Sequence, residues 1–270
     1  MLKRIFSTIL ITLSTIAAMA QSSKEIPLYE GKAPHDNGEE AKMYVYLAPE
    51  KRATGRAVLI LPGGAYQMLA SGHEGHEWAS FFNNLGITAV VLHYRMPKGD
   101  YRVPVGDAEQ AMKLIRSNAE AWHINKDDVG IMGSSAGGHL ATTIATHSKG
   151  DAVPNFQILF YPVITMDPGF THKMSHDNFL GADAKKKKEM EFSNDAQVTR
   201  ATSRAWIALS DDDSAVLPAN GFNYYFELYR HDVPASLHVY PTGGHGWGIK
   251  PDFEFHNEMQ LELKAWLRSF

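Results

Sequence analysis

Three stretches of the sequence carry side chains that can cooperate in nucleophilic catalysis, and they follow one another in the order serine, acid, histidine. They are Gly133-Ser134-Ser135-Ala136-Gly137, Ser210-Asp211-Asp212-Asp213-Ser214 and Gly243-Gly244-His245-Gly246-Trp247. A serine hydroxyl is a poor nucleophile at neutral pH. An enzyme that uses one must lift it clear of the backbone, give it a base, and provide donors for the oxyanion that its attack creates. Gly133-x-Ser135-x-Gly137 meets the first need if a strand precedes it and a helix follows, because small flanking residues permit a sharp turn that leaves the Ser135 hydroxyl exposed. The apolar run at residues 129–132 and the helical spacing of Leu140, Ala141, Ile144 and Ala145 supply that context. Without it the motif would be an ordinary accident of a loop rich in glycine and serine. Ser134 lacks the symmetric pair of glycines and is expected to be structural.

The second need points to His245, whose glycine neighbours leave the imidazole free to reach Ser135. His139 lies one helical turn beyond the serine. His73 and His76, in the segment GHEGH at residues 72–76, lack the spacing of a zinc-binding helix, so no metal is expected there. The acid is ambiguous on residue type alone, since Asp211, Asp212 and Asp213 are consecutive and one of them would need hydrogen bonds to stay ionised. Asp107, at the start of a helical pattern, reads as an N-cap. For the third need, the N–H after the nucleophile belongs to Ala136, and the turn Pro62-Gly63-Gly64-Ala65-Tyr66 offers a second donor at Gly64 or Ala65, with Gly63 making the turn.

These pieces must be held by a rigid scaffold, and the sequence supplies one. Residues 57–61, 87–92, 129–132, 156–163, 205–209 and 237–240 are short apolar runs separated by helical or turn-rich segments, while 43–47 alternates as a half-buried strand does. Continuous apolar character means that both faces of the sheet are covered. The reading is therefore an α/β fold, a mostly parallel, doubly wound sheet flanked by helices. Helices are expected at 77–85, along the stripe Ala108, Ala111, Met112, Ile115, Ala119 and Trp122, at 218–230 and at 254–267. The lysine run at 185–188 reads as a solvated helix face within the polar segment 181–197, with a cap over the site as the other reading.

Composition narrows the function classes. A chain of 270 residues, 44% hydrophobic, can bury a core in one α/β domain. A net charge of −4 with no basic stripe excludes nucleic acid as a partner. Cysteine is absent, so neither a disulfide framework nor a lipidated cysteine is available. Residues 1–20 read as a signal peptide, with Lys3 and Arg4 before a moderately apolar stretch and Ala18-Met19-Ala20 as the cleavage site. The expected product is an exported protein, periplasmic or secreted, in which residues 21–270 form one catalytic domain with no membrane span.

Taken together these motifs resemble the α/β-hydrolase superfamily, in the group of secreted bacterial esterases that are acetylxylan-esterase-like and related to hormone-sensitive-lipase-type and feruloyl-esterase-type enzymes. The resemblance is carried by PGGAY (62–66), HEGHEW (73–78), HYR (93–95), GSSAGGHLA (133–141), FYPVITM (160–166), SDDDSAVLPAN (210–220) and GGHGWG (243–248), which span nearly the whole chain after the leader. It implies a triad of Ser135, Asp213 and His245, Asp213 being preferred because Asp-x-x-Val is usual at this turn, with Asp212 in reserve. Gly64, Ala65 and Ala136 would form the oxyanion hole. Ala65 stands where the family usually has a third glycine, which would narrow the acyl pocket by a methyl group. The implied reaction is hydrolysis of small acyl esters, acetyl or feruloyl, on plant-wall carbohydrate, with no metal or organic cofactor. Tyr66 and Trp247 are candidates to stack on a sugar ring. Two other functions use the same motifs. A serine peptidase of the prolyl-oligopeptidase type has the same triad order but usually carries a large extra domain, for which this length is expected to leave no room; a non-catalytic binding module would be expected to have lost a triad member.

Overall fold

Runs that are apolar without alternation become strands covered on both sides. In the structure, a computed structural model that describes residues 23–270, the strand β3 (Ala57–Leu61) is buried along its whole length. Ala57, Leu59 and Leu61 pack into one core, and Val58 and Ile60 into another on the opposite face. The expected leader at residues 1–20 lies outside the described residues.

Eight strands form one sheet in the order β1-β2-β4-β3-β5-β6-β7-β8. β1 (Lys24–Pro27) and β2 (Lys42–Tyr46) are antiparallel to their neighbours. The other six, β3, β4 (Thr88–His93), β5 (Val129–Ser134), β6 (Phe156–Phe160), β7 (Arg204–Ser210) and β8 (Ala235–Tyr240), run parallel. The first core takes residues from α2 (Arg102–Ser117), α3 (Ala136–His147) and α6 (Ala219–Arg230); the second takes them from α1 (Trp78–Asn84) and α7 (His256–Leu267). The sheet is thus packed between helices on both faces, as its apolar runs require.

The structure departs from the sequence reading in two places. β1 arises in a polar segment with no strand signal and owes its form to pairing with β2, from Lys24 opposite Val45 to Pro27 opposite Lys42. Asp107 does not cap α2, which begins at Arg102; it is buried in the second turn, where its carboxylate accepts from Arg95 Nη2 at 2.6 Å, from the Arg95 N–H at 2.9 Å and from the Tyr29 hydroxyl at 2.9 Å. A fully buried guanidinium demands a paired carboxylate, and that demand outweighs capping preference. The polar segment 181–197 carries a short helix α5 (Lys186–Glu191) after α4 (Lys173–Leu180), in keeping with the helix face read at 185–188. Its lysines are mostly solvated, but Phe192 at its end is buried and α4 reaches the loop after β3, where Asn178 Nδ2 donates to the Ala65 carbonyl at 2.8 Å.

Candidate active site

The end of β5 and the start of α3 meet at Ser135, whose backbone takes φ +53° and ψ −121°. A positive φ in a residue with a Cβ costs on the order of 1–3 kcal/mol and persists only when its surroundings enforce it. Here the Ser135 N–H donates to the Phe160 carbonyl at 3.0 Å, and the Ser135 carbonyl accepts from the Val163 N–H at 3.0 Å. Tight approach completes the turn. A Cβ on Gly133 would lie 2.1 Å from the Gly137 carbonyl oxygen, and one on Gly137 would lie 2.0 Å from that of Leu61.

From this turn the Ser135 hydroxyl lies 2.8 Å from His245 Nε2, and His245 Nδ1 lies 2.6 Å from Asp213 Oδ2. The other carboxylate oxygen, Oδ1, accepts the N–H groups of Ala215 and Val216, each at 2.9 Å. Asp213 is therefore locked by its own turn with one oxygen left for the imidazole. With Nδ1 donating to that oxygen, Nε2 is free to accept the serine proton. Asp212 faces elsewhere, accepting the N–H of Gly244 at 2.7 Å and of Gly243 at 3.4 Å. Neighbouring aspartates thus divide two tasks: one touches the imidazole, the other the glycine loop that carries it.

The loop after β3 passes against the same turn. A Cβ on Gly63 would fall 2.9 Å from the Ser135 Cβ and 2.7 Å from the Ser134 carbonyl oxygen. Gly64, Ala65 and Tyr66 follow with φ of +127°, +55° and +56°. Among the described residues the N–H groups of Gly64 and Ala65 donate to nothing, and that of Ala136, the first residue of α3, has no partner within its own helix. Unsatisfied donors beside a serine hydroxyl suit an oxyanion.

Two expectations need correction. Tyr66 is 1% exposed, stacks on Phe179 with ring centroids 4.8 Å apart and shares a hydrogen bond of 2.9 Å with His139 Nδ1. Trp247 is 4% exposed, lies flat against Phe253 at 4.1 Å and donates to Ser210 Oγ at 2.9 Å. Neither offers a ring face to a sugar, because both rings are used to fill the interior. His139 is likewise structural: its Nε2 donates to the Phe192 carbonyl at 2.9 Å, and burial lowers its pKa to about 3. His76 bonds to Tyr46 and, at 3.1 Å, to His93, and burial lowers the pKa of both imidazoles. Among the described residues no group of three or more His, Cys, Asp or Glu side chains is arranged to hold a metal ion.

The sequence reading missed Glu74, a buried acid within HEGHEW. Its Oε2 accepts the Gly63 N–H at 2.8 Å and its Oε1 the Tyr161 hydroxyl at 2.8 Å, while the Tyr161 oxygen accepts the Gly248 N–H at 2.7 Å. Burial pushes the Tyr161 hydroxyl well above its usual pKa, so it stays a donor. The sequence signal was an acid between two glycines, Gly72 and Gly75, close to the Pro62-Gly63-Gly64 turn only in three dimensions. His172, half-buried before α4, was also missed; burial and then the neighbouring His245 lower its pKa.

Known proteins share this architecture. A family model described as an alpha/beta hydrolase fold matches residues 58–249. An acetylxylan esterase of Xylanibacter ruminicola is 40% identical over 99% of this chain and 55% of its own length, and endo-1,4-beta-xylanase B of Butyrivibrio fibrisolvens is 32% identical over 72% of this chain and 33% of its own. The chain thus spans about half, and a third, of the curated relatives it matches. Among solved structures, an acetyl ester-xyloside bifunctional hydrolase from Caldicellulosiruptor lactoaceticus superposes with a TM-score of 0.86 at 27% identity, over 94% of this chain and 98% of that one.

Proposed function

We propose that this chain, which belongs to the α/β-hydrolase-fold family, is a serine esterase that removes small acyl groups, chiefly acetyl, from xylan or xylo-oligosaccharides. The observation that carries the chemistry is the hydrogen-bonded row Asp213–His245–Ser135, with separations of 2.6 and 2.8 Å. The substrate is supported by the likeness to an acetylxylan esterase along nearly the whole chain.

In this reading the Ser135 oxygen attacks the ester carbonyl while its proton passes to His245 Nε2. Asp213 holds the imidazole by Nδ1 and offsets the charge it gains. The carbonyl oxygen becomes an oxyanion, which accepts from the N–H of Ala136 and from Gly64 or Ala65; each such donor is worth about 3–4 kcal/mol in the transition state. Collapse breaks the bond to the sugar oxygen, which leaves with the proton from His245, and Ser135 is left acetylated. Water, deprotonated by the same imidazole, then releases acetate. The expected leader at residues 1–20 supports export to the periplasm or beyond, where polymeric xylan or its fragments are met. Among the described residues no helix is long and apolar enough to cross a membrane.

Acetate release from acetylated xylo-oligosaccharides, measured beside Ser135→Ala, tests the proposal. The substitution is expected to lower turnover on the order of 10⁴- to 10⁶-fold. A wild type that cleaves p-nitrophenyl acetate but frees no acetate from the oligosaccharide would remove the carbohydrate substrate and leave the triad. Silence on both would favour a binding module without catalysis.

A further inference from the structure

We infer that Glu74 is a positioning residue that ties the two halves of the site together, holding the oxyanion loop with one carboxylate oxygen and the histidine loop, through Tyr161, with the other. This inference rests on the esterase reading above. One end of the link is the 2.8 Å bond from the Gly63 N–H, on the residue just before the candidate donors Gly64 and Ala65. The other end runs from the Tyr161 hydroxyl at 2.8 Å to the Gly248 N–H at 2.7 Å, three residues beyond His245.

Several features set this apart from incidental packing. Glu74 is 3% exposed and Tyr161 1%. Burying a carboxylate costs free energy whereas burying an apolar side chain gains it, so an acid kept in the interior has a task that needs its acceptors. Tyr161 itself takes φ +35°, with its N–H held by the Ala208 carbonyl at 2.7 Å, and its ring meets that of His245 edge to face at 4.8 Å. It touches the imidazole as well as the loop behind it. The space is also filled on the glycine side: a Cβ on Gly63 would lie 2.6 Å from Glu74 Oε2, and one on Gly248 would meet the His73 carbonyl oxygen at 2.4 Å. His73, whose Nε2 stands 4.0 Å from Glu74 Oε1, also receives the Ile249 N–H on its carbonyl at 3.0 Å, so the turn that bears Glu74 is fastened to the histidine loop twice. The two loops, at residues 62–66 and 243–248, are far apart in sequence. Catalysis requires their donors and base to keep register with Ser135 to a fraction of an ångström, and misplacement by about 1 Å can cost on the order of 100-fold.

Glu74→Gln and Tyr161→Phe separate this role from simple support of the fold. Glutamine keeps one acceptor and turns the other into a donor that faces a donor. Phenylalanine keeps the ring and severs the link to Gly248. Functional serine is counted by the burst of p-nitrophenol from diethyl p-nitrophenyl phosphate, and kcat for p-nitrophenyl acetate is expressed per counted serine, so misfolded protein drops out. Glu74→Gln is expected to lower that kcat about 10- to 100-fold with KM within about threefold. Tyr161→Phe is expected to lower it about 3- to 10-fold and to displace the acidic limb of the kcat pH profile, which reports the imidazole. A kcat per counted serine within about twofold of wild type in both variants overturns the inference while the esterase reading stands. If Glu74→Gln yields no folded protein, Tyr161→Phe decides alone. A wild type with no esterase activity overturns the esterase reading first, and this role with it.

Discussion

Adjacent aspartates illustrate how residue type and residue role separate. Asp212 and Asp213 have the same chemistry, yet Asp213 meets His245 Nδ1 at 2.6 Å and Asp212 meets the Gly244 N–H at 2.7 Å. Replacing the acid of a serine triad by its amide presents an N–H₂ or the wrong tautomer to the imidazole and costs about 10⁴ in kcat. Asp213→Asn is therefore expected to lose about four orders of magnitude on p-nitrophenyl acetate. Asp212→Asn retains an acceptor for Gly244 and is expected to lose about tenfold at most, the worth of one hydrogen bond. Equal losses in steady-state kinetics would show that the two carboxylates act as one cluster.

At the level of elements, the site depends on how closely α3 approaches the end of β3. A methyl on Gly137 would stand 2.0 Å from the Leu61 carbonyl oxygen and 2.6 Å from that of Pro62, both rigid backbone atoms. Gly137→Ala must therefore push the helix away from the strand, and the expected loss is about 3 kcal/mol or more in urea unfolding, with activity falling because Ala136 moves too. Gly150 provides the contrast. Its φ is +58° and nothing lies within 4 Å of a Cβ there, so Gly150→Ala is charged only for the left-handed backbone, about 1 kcal/mol. If the two variants unfolded at the same urea concentration, close approach at the turn would not be what demands glycine.

Across the whole molecule, buried imidazoles link stability to pH. His139 sits in the interior with a pKa near 3, against an ordinary value of 6.5, because burial disfavours its charged form. Between those values the unfolded chain binds a proton that the folded chain does not, so stability falls as pH drops below 6.5. The slope from this one group is about 1.4 kcal/mol per pH unit, or about 2 kcal/mol between pH 6.5 and 5. His76 and His93, also lowered by burial, act in the same direction. The thermal midpoint is expected to fall over this range, and to fall less in His139→Gln, which has no proton to gain. An unchanged slope in that variant would assign the acid sensitivity to other groups.

Local pattern determined a good deal by itself. Continuous apolar runs fixed the parallel strands, since a run without alternation has to be covered twice, and the glycine spacing around Ser135 marked a turn that few other residues can make. The order of serine, acid and histidine was likewise written along the chain. Tertiary structure decided what depends on neighbours distant in sequence. Tyr66 and Trp247 have the composition of a sugar platform, but the same flat rings fill a core equally well, and only packing against Phe179 and Phe253 says which. β1 has no strand pattern because its hydrogen bonds come from β2. Asp107 and Glu74 are acids whose meaning lies in partners brought by folding, Arg95 in one case and Gly63 with Tyr161 in the other. A sequence displays side chains and their periodicity, whereas the partner of a buried charge is a property of the folded chain.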